Sequence, residues 1–166
     1  MKKLMAVILI VWAGLTIPVP GQAHVRTWQP EVLKGLKAVR LDVERIKPEI
    51  ERDGLFRETL QEDMELKLRL AGIKVLTEEE AQAKPEAPLL YLNVDALKCS
   101  FGYVYNIGLY LIEPVTTVRK TIKTQATVLR IPEHLGIASR LSEVRDAAGD
   151  VLDEFVNAWK EINLKP

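Results

Sequence analysis

Histidine, serine and cysteine are the side chains best suited to chemistry at neutral pH, and this sequence uses them sparingly. Its two histidines are His24 and His134. His134 follows Pro132 and Glu133 in a stretch that reads as a solvated loop. No HExxH pattern and no His/carboxylate pairing with metal-ligand spacing is present, so no metal site is expected. The serines are Ser100, Ser139 and Ser142, none in a GxSxG elbow. His134 and Ser139 are near in sequence, but chain proximity is not relay geometry. Gly102 and Gly108 belong to no GxxxxGK or GxGxxG pattern, so phosphate-loop chemistry and a nucleotide cofactor are not expected. The acidic doublets Glu62-Asp63 and Asp153-Glu154 fall in helical stretches beside Lys and Arg, where carboxylates are ordinarily solvated surface rather than an acid–base pair. Cys99 is the only cysteine. An intramolecular disulfide is therefore impossible, leaving a buried strand thiol or an intermolecular bridge. No catalytic residue, cofactor or metal is expected.

Two features invite a binding role instead. Tyr91, Tyr103, Tyr105 and Tyr110 crowd one segment, and tyrosine combines apolar area with a polar tip, as interfaces prefer. Alanine at Tyr103 and Tyr105 is expected to weaken association and leave the fold intact. The second feature is a cationic cluster at a turn, Arg119 and Lys120 with Lys123 and Arg130. It reads either as a solvated turn or as a contact for anionic lipid or envelope polymer.

The elements that must position these residues follow from periodicity. Val39, Leu41 and Val43 alternate with Arg40, Asp42 and Glu44, as in a half-buried strand that Lys47-Pro48 ends. Phe56, Leu60, Met64 and Leu68 step by four along a helix, with Leu66 and Leu70 widening the apolar face and Asp63–Lys67 and Glu65–Arg69 as i,i+4 pairs on its wet side. Gly72 suits a left-handed C-terminal cap. A short strand, Ile73–Leu76, precedes a capping box at Thr77 and Glu80. A β-meander follows. Its strands are Leu89–Cys99, Tyr103–Val118 with Pro114 at a bulge or edge, and Gln125–Ile131 ending at Pro132. Leu141, Val144, Ala148, Val151, Leu152, Phe155, Trp159 and Ile162 then mark a long amphipathic helix over 139–163. The expected fold is α+β: a single mixed or antiparallel sheet of about five strands with two main helices on one face, in the order β-α-β-β-β-β-α.

The N-terminus reads as an export signal. Lys2 and Lys3 precede an apolar run, Leu4 to Ile17, and Gly21-Gln22-Ala23 supplies small residues before a cut at His24. A helix over the run would measure roughly 21 Å, short of a ~30 Å hydrocarbon core. Residues 1–23 are thus expected to be a signal peptide, and 24–166 one soluble periplasmic or secreted domain with no stable membrane span after cleavage. Of the 23 basic and 23 acidic residues, Lys2 and Lys3 leave with the signal, and the small acidic excess argues against nucleic acid.

Gly54-Leu55, then Leu60-Gln61 through Glu65-Leu66-Lys67-Leu68-Arg69-Leu70-Ala71-Gly72-Ile73-Lys74-Val75-Leu76, the segment Pro88–Val94 and the terminal Asp153–Trp159 with Asn163 together resemble an uncharacterised family of exported bacterial proteins. The order of elements is also similar to the N-terminal αβ domain of the Tol-system propeller protein. The resemblance implies an envelope address and no catalytic residue. The expected role is a non-catalytic binding or assembly module whose partner is an envelope protein or a second copy of the chain, met through the β-meander. The alternatives are a carrier of a small apolar or lipid-like ligand between helices and sheet, and a hydrolase without a recognisable motif.

Overall fold

The structure, a computed structural model, describes residues 30–164; the expected signal peptide and its cleavage site lie outside the described residues. A 3-10 turn at Pro30–Leu33 leads into β1 (Ala38–Val43), α1 (Pro48–Arg52), α2 (Arg57–Ala71), β2 (Lys74–Val75) and α3 (Glu78–Ala83). The second half is a meander of β3 (Leu89–Cys99), β4 (Gly102–Thr116) and β5 (Lys123–Ala138), closed by α4 (Leu141–Asn163). The strands form one mixed five-stranded sheet in the order β2-β1-β3-β4-β5. β1 runs parallel to both β2 and β3, while β3, β4 and β5 are successively antiparallel. The chain is α+β, as its periodicities imply.

Strand alternation decides where the core sits. Val39 and Val43 of β1, Leu90, Leu92, Val94 and Ala96 of β3, Ile107, Leu109 and Leu111 of β4, and Leu129 and Ile131 of β5 are buried on one face. Against that face lie Leu60, Met64 and Leu68 of α2 and the stripe of α4 that runs from Leu141 through Val144, Val151, Leu152 and Phe155 to Trp159. The end of α4 also grips the start of the domain. Trp159 Nε1 donates to the Leu36 carbonyl at 2.7 Å, and the Asn163 amide bonds Leu33 O at 2.9 Å and Gly35 N at 2.7 Å. The buried cluster thus extends from Leu33 to Trp159.

Local signals explain most boundaries. Gly72 caps α2 at φ 91°, a left-handed conformation that costs glycine little. Thr77 and Glu80 form the capping box of α3. Gly102, at φ 133°, turns β3 into β4 where a Cβ would stand 2.2 Å from the Ala138 carbonyl oxygen.

Three expectations need correction. Pro48 does more than end a strand: it opens α1, where its missing N–H is no loss. β5 does not stop at Pro132 but continues to Ala138. It is an edge strand, and a register shift between Ile107/His134 and Leu109/Ile131 absorbs the proline. His134 is therefore a strand residue, bonded through Nε2 to Glu154 of α4 at 2.8 Å. Finally, Asp63 and Lys67 do not bond each other. Asp63 takes a bidentate pair from Arg145 (2.6 and 2.8 Å) and Lys67 bonds Asp153 (2.7 Å), so both tie α2 to α4. Glu65–Arg69 forms as expected.

Candidate interaction surface

The four tyrosines do not make one surface. β4 alternation sends Tyr103 and Tyr105 to the helix side, where both pack against the core, and Tyr110 to the opposite face with Tyr91 of β3. Tyr105 lies over Gly136 of β5, where a Cβ would fall 2.4 Å from the phenol oxygen. The Tyr103 hydroxyl donates to Asp53 at 2.9 Å, and Lys98 reaches the same carboxylate oxygen at 2.8 Å. Hydrogen bonds from Lys98 and Tyr103 hold the Asp53 carboxyl below its usual range, and the bond to Asp53 pushes the Tyr103 phenol up.

On the open face the Tyr91 and Tyr110 rings stand 6.4 Å apart, tilted by 37°. Tyr110 covers Gly108, leaving no room for a Cβ there, and its hydroxyl donates to Glu133 at 3.0 Å. Glu133 also pairs with Arg130, whose guanidinium lies 5.7 Å from the Tyr110 ring centre. Burial, then the Glu44 carboxylate, pushes the Tyr91 phenol up to about 12. Burial, then the bond to Glu133, raises Tyr110. These phenols stay protonated at neutral pH and act as hydrogen-bond donors.

The rest of that face is graded. Lys47 pairs with Asp95 at 2.7 Å near its middle. Beyond them Leu97, Val104 and Ile137 form one cross-strand row, and Leu135 lies in the next row opposite Asn106. Leu97, Leu135 and Ile137 are 62%, 76% and 68% exposed, and Phe101 at the adjoining turn is 63% exposed. No tyrosine belongs to this aliphatic end. The sequence carried a signal for it, the alternation Leu135-Gly136-Ile137-Ala138, which a strand terminated at Pro132 hides. Arg119 and Lys120 are at the far end, in the turn between β4 and β5. Arg130 is not with them; it belongs to the Tyr110–Glu133 group.

A surface cleft of about 710 Å³ flanks the edge of β1 beyond β2, lined by Arg40, Asp42, Arg57, Gln61, Glu78 and Gln82 among others. α2 closes that edge with side chains. Arg57 Nε donates to Val43 O at 2.6 Å and its Nη2 to Asp42 at 2.9 Å. Gln61 Nε2 donates to Leu41 O at 3.4 Å and Glu65 Oε1 at 2.9 Å, which leaves Gln61 Oε1 buried without a partner. Cys99 is half-buried, its thiol 3.3 Å from the Gly102 carbonyl. Among the described residues no three His, Cys, Asp or Glu side chains converge to hold a metal, and no helix is long and apolar enough to cross a membrane.

The chain matches no protein-family model and no curated protein. Among solved structures, a PelC variant dodecamer from Paraburkholderia phytofirmans is similar over 76% of this chain and 89% of that chain, at 16% identity and a TM-score of 0.45.

Proposed function

We propose that the chain is an exported, non-catalytic module of the cell envelope that binds another protein through the open face of its sheet. The observation that carries this reading is the aliphatic end of that face. Leu97, Leu135 and Ile137, each more than half exposed, adjoin Val104 and Phe101 at one end of the open sheet face. Single exposed aliphatics are ordinary, but a contiguous group on an uncovered sheet face costs free energy in water unless something covers it. Export rests on the pattern of residues 1–23. The carrier reading draws less support, because Phe155, Met64, Leu60, Leu68, Ile107 and Leu109 fill the space between helices and sheet, each nearly or wholly buried.

A photo-crosslinking side chain at position 137 tests the proposal in cells, with position 62 on the exposed side of α2 as the control. A discrete protein adduct from position 137 and none from position 62 is the expected result. Adducts from neither position, or from both alike, would sink it.

A further inference from the structure

The hairpin made by the ends of β4 and β5 has chemistry of its own. β3 stops opposite Ile112, so from Glu113↔Ala126 to Thr116↔Lys123 the two strands pair only with each other. Four rungs at ~3.4 Å carry the tip beyond the sheet by roughly 13 Å. Residues 116–125 are exposed without interruption. Val118 and Ile122 are 101% and 53% exposed, the former as bare as a residue in an extended chain. Arg119, Lys120 and Lys123 stand among them, with no ion-pair partner among the described residues. No Asp or Glu occurs from Pro114 to Pro132.

The tip is also held in shape. Thr117 exchanges hydrogen bonds across the loop, its N–H to Ile122 O at 2.9 Å and its carbonyl from Thr121 N at 2.8 Å, while its hydroxyl accepts from Ile122 N at 3.2 Å. Thr121 sits at φ 54°, the sole non-glycine residue with positive φ among those described. A β-branched residue there is strained, so the surrounding bonds impose the turn.

We infer that this hairpin tip is a docking element for an anionic membrane surface, with Arg119, Lys120 and Lys123 facing lipid headgroups and Val118 and Ile122 entering the interface. Charge complementarity selects an anionic partner, since three cations with no ion-pair partner among the described residues project on a hydrogen-bonded hairpin. The aliphatic pair selects lipid over a soluble polyanion. A polyanion is served by the cations alone, whereas exposed Val and Ile gain only from leaving water. This surface is at the opposite end of the meander from the Leu97–Ile137 patch and is independent of the protein-binding proposal.

The experiment is co-sedimentation of residues 24–166, which retain the whole buried cluster, with vesicles of phosphatidylcholine containing phosphatidylglycerol and with phosphatidylcholine alone. Binding to the anionic vesicles only, weakened by added salt, is expected. Arg119→Ser/Lys120→Ser/Lys123→Ser should weaken it about a hundredfold and Val118→Ser/Ile122→Ser by about a hundredfold as well if both side chains leave water, both with unchanged circular dichroism. Thr121→Gly, which keeps every side chain that touches lipid, should bind like the unaltered chain. Absence of binding, or binding indifferent to either multiple variant, overturns the inference. So does loss on removing the cations but not the aliphatics, together with equal capture on an immobilised anionic polysaccharide, which would identify a polymer-binding tip instead.

Discussion

Replacing Leu97 and Ile137 together by serine separates the role of the open face from its contribution to folding. Burying such a side chain completely is worth about 1.5–3 kcal/mol. Leu97 and Ile137 keep 62% and 68% of their surface exposed in the folded chain, so a partner that covers them has about 1–2 kcal/mol each to gain. Loss of both should weaken association by about 2–4 kcal/mol, roughly 30- to 1,000-fold in Kd. The third already buried contributes about 0.5–1 kcal/mol each to folding, so the melting temperature should fall by only a few degrees. The assay is titration of the captured partner, or of the chain against itself by sedimentation, with thermal melts of each variant. Leu66→Ser supplies the control, because Leu66 is 57% exposed but on α2, away from the sheet face. Association unchanged in the double variant, or lost equally in Leu66→Ser, would refute a sheet-face interface. Tyr103 and Tyr105 are poor reporters of it. They pack on the helix side, so their alanine variants lower stability whether or not a partner binds.

Other expectations concern stability. Burial alone holds the Glu113 carboxyl above its ordinary range, so the folded state prefers it protonated and loses stability as pH rises through the carboxylate range. Glu113→Gln should therefore melt higher than the unaltered chain at pH 7 and at the same temperature near pH 3; equal melts at pH 7 would contradict that. Asp63 has the opposite sign. The Arg145 bonds lower its pKa, giving stability that is present above the unfolded value of ~3.9 and lost as pH falls through the folded one. Both partners are more than a third exposed, so Asp63→Asn should cost under about 1 kcal/mol at pH 7, with the difference shrinking as the pH is lowered through the carboxylate range. Gly149→Ala should stabilise α4 by about 0.5–1 kcal/mol in chemical denaturation. The new Cβ would meet only the flexible end of Lys67, its Nζ at 3.1 Å; Lys67 Nζ also donates to Gly149 O at 3.1 Å, and a loss of stability would show that this bond matters more than helix propensity.

What the sequence disclosed is what local physics determines. The Leu60-Met64-Leu68 steps of α2, the cap at Gly72, the box at Thr77 and the alternation of β3 depend on neighbours in the chain, and each formed where its pattern lay; Phe56, Leu66 and Leu70, read onto the same apolar face, are instead 50%, 57% and 79% exposed, Phe56 as the residue that precedes the helix. Pro114 is at an edge position because β3 ends opposite Ile112, although the shortness of β3 is a property of the sheet. The failures are tertiary. Pro132 looks like a terminator until β5 is known to be an edge strand with a bulge. Asp63 looks like the partner of Lys67 until α4 brings Arg145 within 2.6 Å. The tyrosines failed as a group for a simpler reason. Tyr103, Tyr105, Tyr91 and Tyr110 look like one cluster in composition, but a period of two divides them between faces. Arg119 and Lys120 were legible as an exposed turn, whereas the bareness of Val118 beside them follows only from the way β4 and β5 outrun β3.

The edges of the sheet bear on how this chain can associate at all. A sheet with one uncovered face most easily recruits a partner by adding a strand, yet neither edge is open to that. On one side β2 is only two residues long, and beyond it Gln61 and Arg57 occupy the carbonyls of Leu41 and Val43. On the other side β5 carries Pro132, two register shifts and a basic end at Lys123, each of which disrupts a continuous ladder. With the edges closed, the surfaces left for contact are the open face and the projecting hairpin. They lie at opposite ends of the meander and differ in chemistry, aliphatic at Leu97–Ile137 and cationic at Val118–Lys123. The two proposed contacts therefore fall at opposite ends of one chain, and substitutions at one leave the other intact, so each can be tested separately.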